Sequence, residues 1–409
     1  MTSRRGFIAW AAAAPFVLRE LAGSTGDDEA YWGTIRRAFD LDPSVIYLNS
    51  AGLSPTPTTV FDAMLRDTRY TNTAPVPHLW RELEPRAEGV RRELAAEFGC
   101  DPEEIAITRN ASEAMEILIA GIPLRAGDEV IVTAQNYDRM LTAWDQRARR
   151  DDIVVRTVSI SLPTSDDAVI ETIRGAIGPR TRVIELPHLT NWTGQPMPVA
   201  QIIRLVRPMG IEVLVDGAQS FAHTPDSRDT LDCDYYGTSL HKWLLAPLGT
   251  GFLYVRRAKI SNVWPLMAAV PERQSDIRKF EEIGTHPAAP HNAINLALAF
   301  HRTIGSDRKL ARLRFLRDRW VKGLTADPRV QVKTPLDDPR SGAIALVEID
   351  GLESTRLAQW LWSHHHMVTS AVSFGGVTGL RVTPNIFTTV GELDAFTDAV
   401  RTALRNGLT

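Results

Sequence analysis

An aspartate and a lysine fall within one segment, VDGAQSFAHTPDSRDTLDCDYYGTSLHKWLLAPLGTGFLYV (Val215 to Val255). Asp216 ends an apolar run, and Lys242 stands in a Ser-Leu-His-Lys turn. A lone amine condenses with an aldehyde to a Schiff base. A carboxylate holds a ring nitrogen protonated, so that a conjugated ring draws electrons from the bond being broken. Together the two residues suit pyridoxal 5′-phosphate, with Lys242 and Asp216 as catalytic residues acting at the α-carbon of an amine or amino acid. Either alone is more often a turn aspartate or a solvated lysine. The surroundings weigh against that. Glu212 to Val215 reads as a short buried strand, and Gly217-Ala218 leaves room for a ligand beside the backbone. Lys242 follows Thr238, Ser239 and His241, a set of phosphate-directed donors. It precedes Gly249-Thr250-Gly251 and another apolar strand. Ligands of open α/β sheets bind at the carboxyl ends of strands, where this pattern puts both residues.

The elements that must position them alternate along the chain. Strands are expected at Val45–Leu48, Glu104–Thr108, Glu129–Thr133, Ile153–Val158, Arg182–Leu186 and Val213–Val215. Helices are expected at Thr58–Tyr70, at Glu82–Phe98 and from Ser112. This order implies a mainly parallel sheet covered on both faces. After Asn292 a long helical stretch, Ala293–Leu324, precedes strands near Val330 and Ile344 and a helix from Ser354 to His364. The expected fold class is therefore α/β. A large domain spans residues 56–291, and a smaller α+β domain is built from 27–55 and 292–409.

Composition adds bounds. A chain of 409 residues buries one large core and a second, smaller one. A net charge of −3 gives no reason to expect nucleic acid or an anionic membrane surface as a partner. The two cysteines, Cys100 and Cys233, exclude a disulfide framework and a four-cysteine zinc site. Cys233 lies between two aspartates, without a cation to activate it, and reads as structural. No metal site is expected: the consecutive His364, His365 and His366 cannot all face one ion from a regular element.

Thr2-Ser3-Arg4-Arg5-Gly6-Phe7-Ile8 resembles a twin-arginine signal. The apolar stretch after it, Phe7 to Leu18, is shorter than the roughly 20 residues a membrane span needs. Residues 1–26 are expected to be a signal peptide, with cleavage near Ala22-Gly23-Ser24. The chain would then be exported in folded form to the periplasm by the twin-arginine machinery, without stable membrane association afterwards. The alternative is a cytoplasmic protein.

The stretch LDCDYYGTSLHKWLLAPLGTGFLYV resembles the class V aminotransferases, a family of fold-type I pyridoxal phosphate enzymes that includes cysteine desulfurases and isopenicillin N epimerases. It is most similar to the epimerase branch, and the likeness runs over roughly residues 45–390. The resemblance implies a seven-stranded-type large-domain sheet. It also implies the site. Arg109-Asn110-Ala111-Ser112-Glu113 opens a helix, whose N–H groups suit phosphate, although the same pattern makes a plain N-cap. Ala111 and Ser112 fall at the family's phosphate position, with Ser239 and His241. Thr285, in Gly284-Thr285-His286, matches a threonine lent by the neighbouring subunit, which implies a homodimer with shared active sites. Gln219 matches the contact to the cofactor's phenolic oxygen. Tyr137 matches the ring stacked on the pyridine, and Asn191 the asparagine beside it. Arg381, in Gly379-Leu380-Arg381-Val382, matches the guanidinium that forks onto a substrate carboxylate, with Asn49 placed alongside as substrate-binding.

Two departures bear on function. Cysteine desulfurases carry a nucleophilic cysteine before that arginine, whereas this chain has His364 to Ser370 there and no cysteine after Cys233. Epimerisation needs a second proton-transferring group opposite Lys242. Tyr137, His223 and His364 to His366 all remain open for that role. Transamination needs Lys242 alone. The expected activity is aminotransferase-like, at the α-carbon of an amino acid or of a peptide's amino group. The chain is similar in this to exported members that tailor peptide siderophores. An amino-acid epimerase is the alternative, and a non-catalytic pyridoxal phosphate-binding protein a further one.

Overall fold

The structure, a computed structural model, describes residues 29–408. The expected signal at 1–26 lies outside the described residues. Helix α1 (Glu29–Arg36) and the short strand β1 (Ile46–Tyr47) come first, followed by helices α2 (Thr58–Thr73) and α3 (Ala87–Phe98). The single helix expected over Glu82–Phe98 is broken. A wide turn (Pro77–Leu83) and a tight one (Glu84–Arg86) precede α3. Pro85 lies in the break, where its missing N–H removes a helical bond.

Seven strands then build one sheet: β2 (Ile105–Thr108), β3 (Glu129–Thr133), β4 (Val154–Val158), β5 (Thr181–Pro187), β6 (Glu212–Asp216), β7 (Tyr235–Ser239) and β8 (Gly251–Val255). Their order is β2-β8-β7-β6-β5-β3-β4. Only β8 runs against the rest, pairing antiparallel with β2 and β7. The sheet is mainly parallel, as the alternation predicts. Helices α4 (Ala111–Gly121), α5 (Asp138–Asp151), α6 (Asp166–Ala176) and α7 (Val199–Val206) connect the strands. The central strands are buried on both faces, which is why they read as unbroken apolar runs. One face packs Ile131, Ile184, Val213 and Val215 against α3, α6 and α7. The other packs Val130, Val132, Val183 and Leu214 against α4 and α5 through Met115, Leu118, Met140 and Trp144.

Helices α8 (Ala289–Ile304) and α9 (Ser306–Leu324) divide the expected long helical stretch at Gly305, whose positive φ of 86° breaks the helix. Helix α8 packs on α2 and α3 and joins the large core through Ala293, Ile294 and Leu298. Strands β9 (Val330–Val332) and β10 (Ala345–Ile349), helix α10 (Ser354–His365), strands β11 (Met367–Val368), β12 (Ser370–Phe374) and β13 (Val377–Val382), and helix α11 (Val390–Asn406) complete the chain. Four of these strands form an antiparallel sheet, β12-β13-β10-β9, while β1 pairs with β11. The sheet buries Val347, Leu380 and Val382 against Trp320, Leu361 and Phe396 of the helices.

Gly217 departs from its expected purpose. A β-carbon there would lie 1.9 Å from Cζ of Tyr236, so the missing side chain admits a tyrosine ring rather than a ligand. The Tyr236 hydroxyl meets Ser220 at 3.0 Å, and Thr238 donates to the Gly217 carbonyl at 2.9 Å. These contacts fix the backbone beside Asp216. Gly217→Ala is expected to destabilise the fold by about 1–3 kcal/mol through overpacking and to weaken cofactor affinity. Denaturant unfolding and a cofactor titration of the variant check both effects.

Candidate active site

A cleft of about 390 Å³ opens at the carboxyl ends of the parallel strands. Asp216 closes β6, Ser239 closes β7, and the loops after β3 and β5 bring Tyr137 and Asn191. Helix α4 points its N-terminus at the same space. Its cap is Asn110, whose side chain accepts from the Glu113 N–H at 2.9 Å, so the segment does make the N-cap that was the alternative to a phosphate site. The Ala111 N–H donates to Ser239 Oγ at 2.9 Å, which ties the helix end to β7. Ala111, Ser112, Tyr137, Asn191, Asp216, Gln219, Ser239, His241, Lys242 and Arg381 all line the cleft. Thr285 does not; it is exposed elsewhere on the surface. Asn49 reaches the cleft through Arg381, from which its Oδ1 accepts at 2.9 Å.

The electrostatics of the cleft are those of desolvated, unmatched groups. Burial pushes the Asp216 carboxyl above the usual range, against a 2.9 Å bond from the Ala218 N–H and the nearby Lys242 amine. Burial pulls Lys242 down to about 8, opposed by Asp216 and aided by Arg381. Among the described residues its amine has no hydrogen bond or ion pair. His241 is pulled down to about 4 by burial and by Lys242, which holds it neutral, and its Nδ1 is buried without a partner.

Arg381 is 5 % exposed and pairs with no carboxylate among the described residues, which removes the surface ion pair as its explanation. One guanidinium nitrogen donates to the Asn191 carbonyl at 2.7 Å, and its Nε is buried and unpaired. Its plane lies 5.5 Å from the Trp192 ring. Burial lowers it to about 10. Gln219 is more constrained than its expected role required. Its amide donates to the Ala51 carbonyl and accepts from Trp243 Nε1, both at 2.9 Å.

Several open roles close. His223 is buried, stacks on Trp243 at 3.6 Å, and uses both ring nitrogens, on the Gln219 carbonyl and the Ala343 N–H. Burial lowers it to about 3, and it does not line the cleft. His364 and His365 pack on Trp360, and His366 caps α10, so none of the three reaches the cleft. Ser370 lines it instead. Trp192 and Ser370 received no role from sequence. Trp192 lay within the segment around Asn191. The signal for Ser370 was Gly375-Gly376, both at positive φ, which turn the β12–β13 hairpin. The tip of that hairpin is held over the Tyr137 loop, because Gln135 Nε2 donates to the Gly375 carbonyl at 3.1 Å.

The residues present fit pyridoxal 5′-phosphate. An unpartnered amine faces a buried carboxyl, a helix N-terminus with hydroxyl and imidazole neighbours suits a phosphate, and a buried guanidinium awaits an anion. A larger groove, about 840 Å³, is lined by Tyr47, Leu53, Phe61, Leu65 and Leu248 among others and holds no lysine for this chemistry.

The aminotransferase class-V model matches residues 46–383. The isopenicillin N epimerase of Amycolatopsis lactamdurans is 29% identical over 90% of this chain and 98% of its own length. A probable cysteine desulfurase of Vibrio cholerae is 26% identical over 88% and 94%. Among solved structures, a mutant of the cystine C-S lyase C-DES with glycine covalently linked to its PLP cofactor superposes with a TM-score of 0.81 at 23% identity, over 89% of this chain and 98% of that one. A cysteine desulfurase from Escherichia coli gives 0.79 at 24% identity, over 91% and 98%. The chain belongs to the aminotransferase class V family, whose members are fold-type I enzymes dependent on pyridoxal phosphate.

Proposed function

We propose that the enzyme moves a proton at the α-carbon of an amino acid, or of a peptide's amino-terminal residue, in an aminotransferase-like reaction. The observation that carries this reading is the half-buried Lys242 amine, which lines the cleft without a hydrogen bond or ion pair among the described residues and feels the charges of Asp216 and Arg381. When bound, pyridoxal 5′-phosphate supplies the electron sink for the charge left at the α-carbon. The chain's residues do the rest. Asp216 keeps the ring nitrogen protonated. Ser112, Ser239, His241 and the Ala111 N–H hold the phosphate at the α4 end. Tyr137, Asn191 and Gln219 line the cleft and would hold the cofactor ring. Arg381 and Asn49 receive the substrate carboxylate. Lys242 Nζ takes the α-proton and delivers it again, and a lysine lowered to about 8 is well matched to that exchange.

Cysteine chemistry has little support. Cys233 is fully buried with its thiol pushed up to about 12, and neither cysteine lines the cleft. Epimerisation is the second reading, favoured by the similarity to isopenicillin N epimerases at 29% and 27% identity. Of the groups considered for the opposite face, Tyr137 alone lines the cleft. Transamination produces a 2-oxo acid. Epimerisation brings solvent deuterium into the α-carbon without amine transfer and requires Tyr137. Incubation with a panel of amino acids in deuterated buffer separates the two: oxo-acid release that survives Tyr137→Phe supports the first. Deuterium exchange alone, lost in Tyr137→Phe, sinks it.

Lys242→Ala is expected to bind the cofactor without a covalent link and to lose turnover by several orders of magnitude, since no other lysine lines the cleft among the described residues. Full activity in that variant refutes the assignment. Capture of the cofactor aldehyde needs a neutral amine. Its rate in the apoenzyme is therefore expected to rise with pH and level off above about 8, rather than climbing towards the ordinary lysine value of 10.5. Stopped-flow absorbance checks this.

The same reading includes a homodimer exported in folded form. Exposed Leu53, Phe61 and Leu248 rim the larger groove and would be covered by a second copy, which would also bring its Thr285 to the phosphate. Sedimentation of the holoenzyme as a monomer overturns the dimer. Cytoplasmic retention of the unaltered chain, with no change on substitution of Arg4 and Arg5 by lysine, overturns the export.

A further inference from the structure

One buried acid has no part in the reaction as described. Glu185 lies on β5 with no exposed surface, in the interior of the sheet. In the parallel register Pro187 stands beside Asp216 and Glu185 beside Leu214. Side chains two residues apart share a strand face. Glu185 and Asp216 therefore project from the same face of adjacent strands, offset by about 7 Å along the strand. That face carries Val132, Val183 and Leu214 and is roofed by α5. Helix α5 also bears Met140, which lines the cleft, and Tyr137 precedes its first turn.

The Glu185 carboxyl is only half satisfied. Trp144 Nε1 donates to its Oε2, while Oε1 is buried without a partner. The groups around it leave it few ways to be charged. Val132 is its register partner on β3, and Leu214 on β6. From α5 it meets Trp144, and the loop after β3 ties Asn136 Nδ2 to its backbone carbonyl at 3.3 Å. Asp216 is the one charged group acting on it among the described residues, and it is of like sign. A carboxylate here would be a desolvated charge helped only by Trp144 and, more weakly, Asn136, next to another acid.

We propose that Glu185 is a proton-holding carboxyl behind Asp216, a positioning residue that sets the charge of the layer facing the cofactor's ring nitrogen. The inference rests on the cofactor reading given above. As a neutral acid Glu185 leaves Asp216 as the only anion on that face among the described residues. Burial and Asp216 together push it up to about 8, so mild alkali removes the proton to solvent and adds a second negative charge to the same dry face. That charge favours keeping the ring nitrogen and Asp216 protonated between them. The ring's absorption reports the change.

The test is a pH titration of the visible spectrum of the holoenzyme reconstituted with pyridoxal 5′-phosphate, from neutral to alkaline pH. The wild type is expected to show a transition with a midpoint near 8. In Glu185→Gln, which preserves the neutral acid's shape, the neutral-pH spectrum persists and that transition is lost. In Trp144→Phe the carboxylate loses its donor, so the midpoint moves up. The second variant decides the matter if the first does not fold. A transition unchanged in position in both variants, or absent from the wild type, overturns the proposal. Failure of the wild type to take up any cofactor overturns the function proposed above instead.

Discussion

The site depends on one constraint: Asp216 and Lys242 share a cleft in which burial disfavours both as ions. Asp216 is the main compensation for Lys242, while Asp216 is compensated first by the Ala218 N–H and then by Lys242. In water, charges 4 Å apart attract by only about 1 kcal/mol, but in a partly desolvated site the figure is several-fold larger. The protonation of either group thus depends on the other and on what occupies the cleft. A ring carrying its own cationic nitrogen would let Asp216 ionise without an unpaired charge. The same limit on charge governs the cleft's other ionisable groups, since His241 is neutral and Arg381 is lowered.

Holding the lysine in this environment falls to packing between the two parts of the molecule. Trp243, directly after it, is fully buried in a cluster that joins α1, the segment before α2, and the ends of α8 and α9. Lys309 of α9, itself buried, donates to the Trp243 carbonyl. The Trp243 indole fixes Gln219, whose amide in turn fixes Ala51 at the cleft edge. Leu245 adopts a φ of 66°, a conformation a branched side chain tolerates only where the surroundings enforce it. The turn that carries Lys242 is therefore specified from several directions, and the reactive amine is placed by atoms that never touch a substrate.

How much of this could be read from sequence follows from which interactions are local. The central strands of the large sheet were legible because a strand buried on both faces leaves an apolar run in the chain, while the edge strand β4 was legible from its valines although it is largely exposed. Asp216, Ser239 and Lys242 were legible because one segment carries them to adjacent strand ends. Three things were not legible. Gly217 serves the Tyr236 ring of a neighbouring strand, a contact that spacing does not encode. Whether His223 and His364 to His366 face the cleft depends on long-range packing, which directs them elsewhere. The Gly305 break was hidden because the apolar pattern continues across it. Glu185 shows the reverse case: an acid inside an apolar run was visible, but its meaning appears only once β5 and β6 are set in register.

Arg381 draws the two parts of the molecule together chemically as well as physically. It sits on the small antiparallel sheet, yet its fork is held by Asn49 from the N-terminal segment and by the Asn191 carbonyl from the loop after β5. Trp192 flanks it, and Tyr47 is the one group raising its pKa. A guanidinium so enclosed, without a carboxylate, is costly to bury. An incoming carboxylate removes that cost and occupies the one orientation the fork allows. Because the anchors come from two stretches of chain remote from the arginine's own strand, its fork is fixed only when all three are docked. In the reaction proposed, the position of the α-carbon relative to Nζ would thus be a property of the assembled molecule, with the small sheet supplying the guanidinium and the large one the amine.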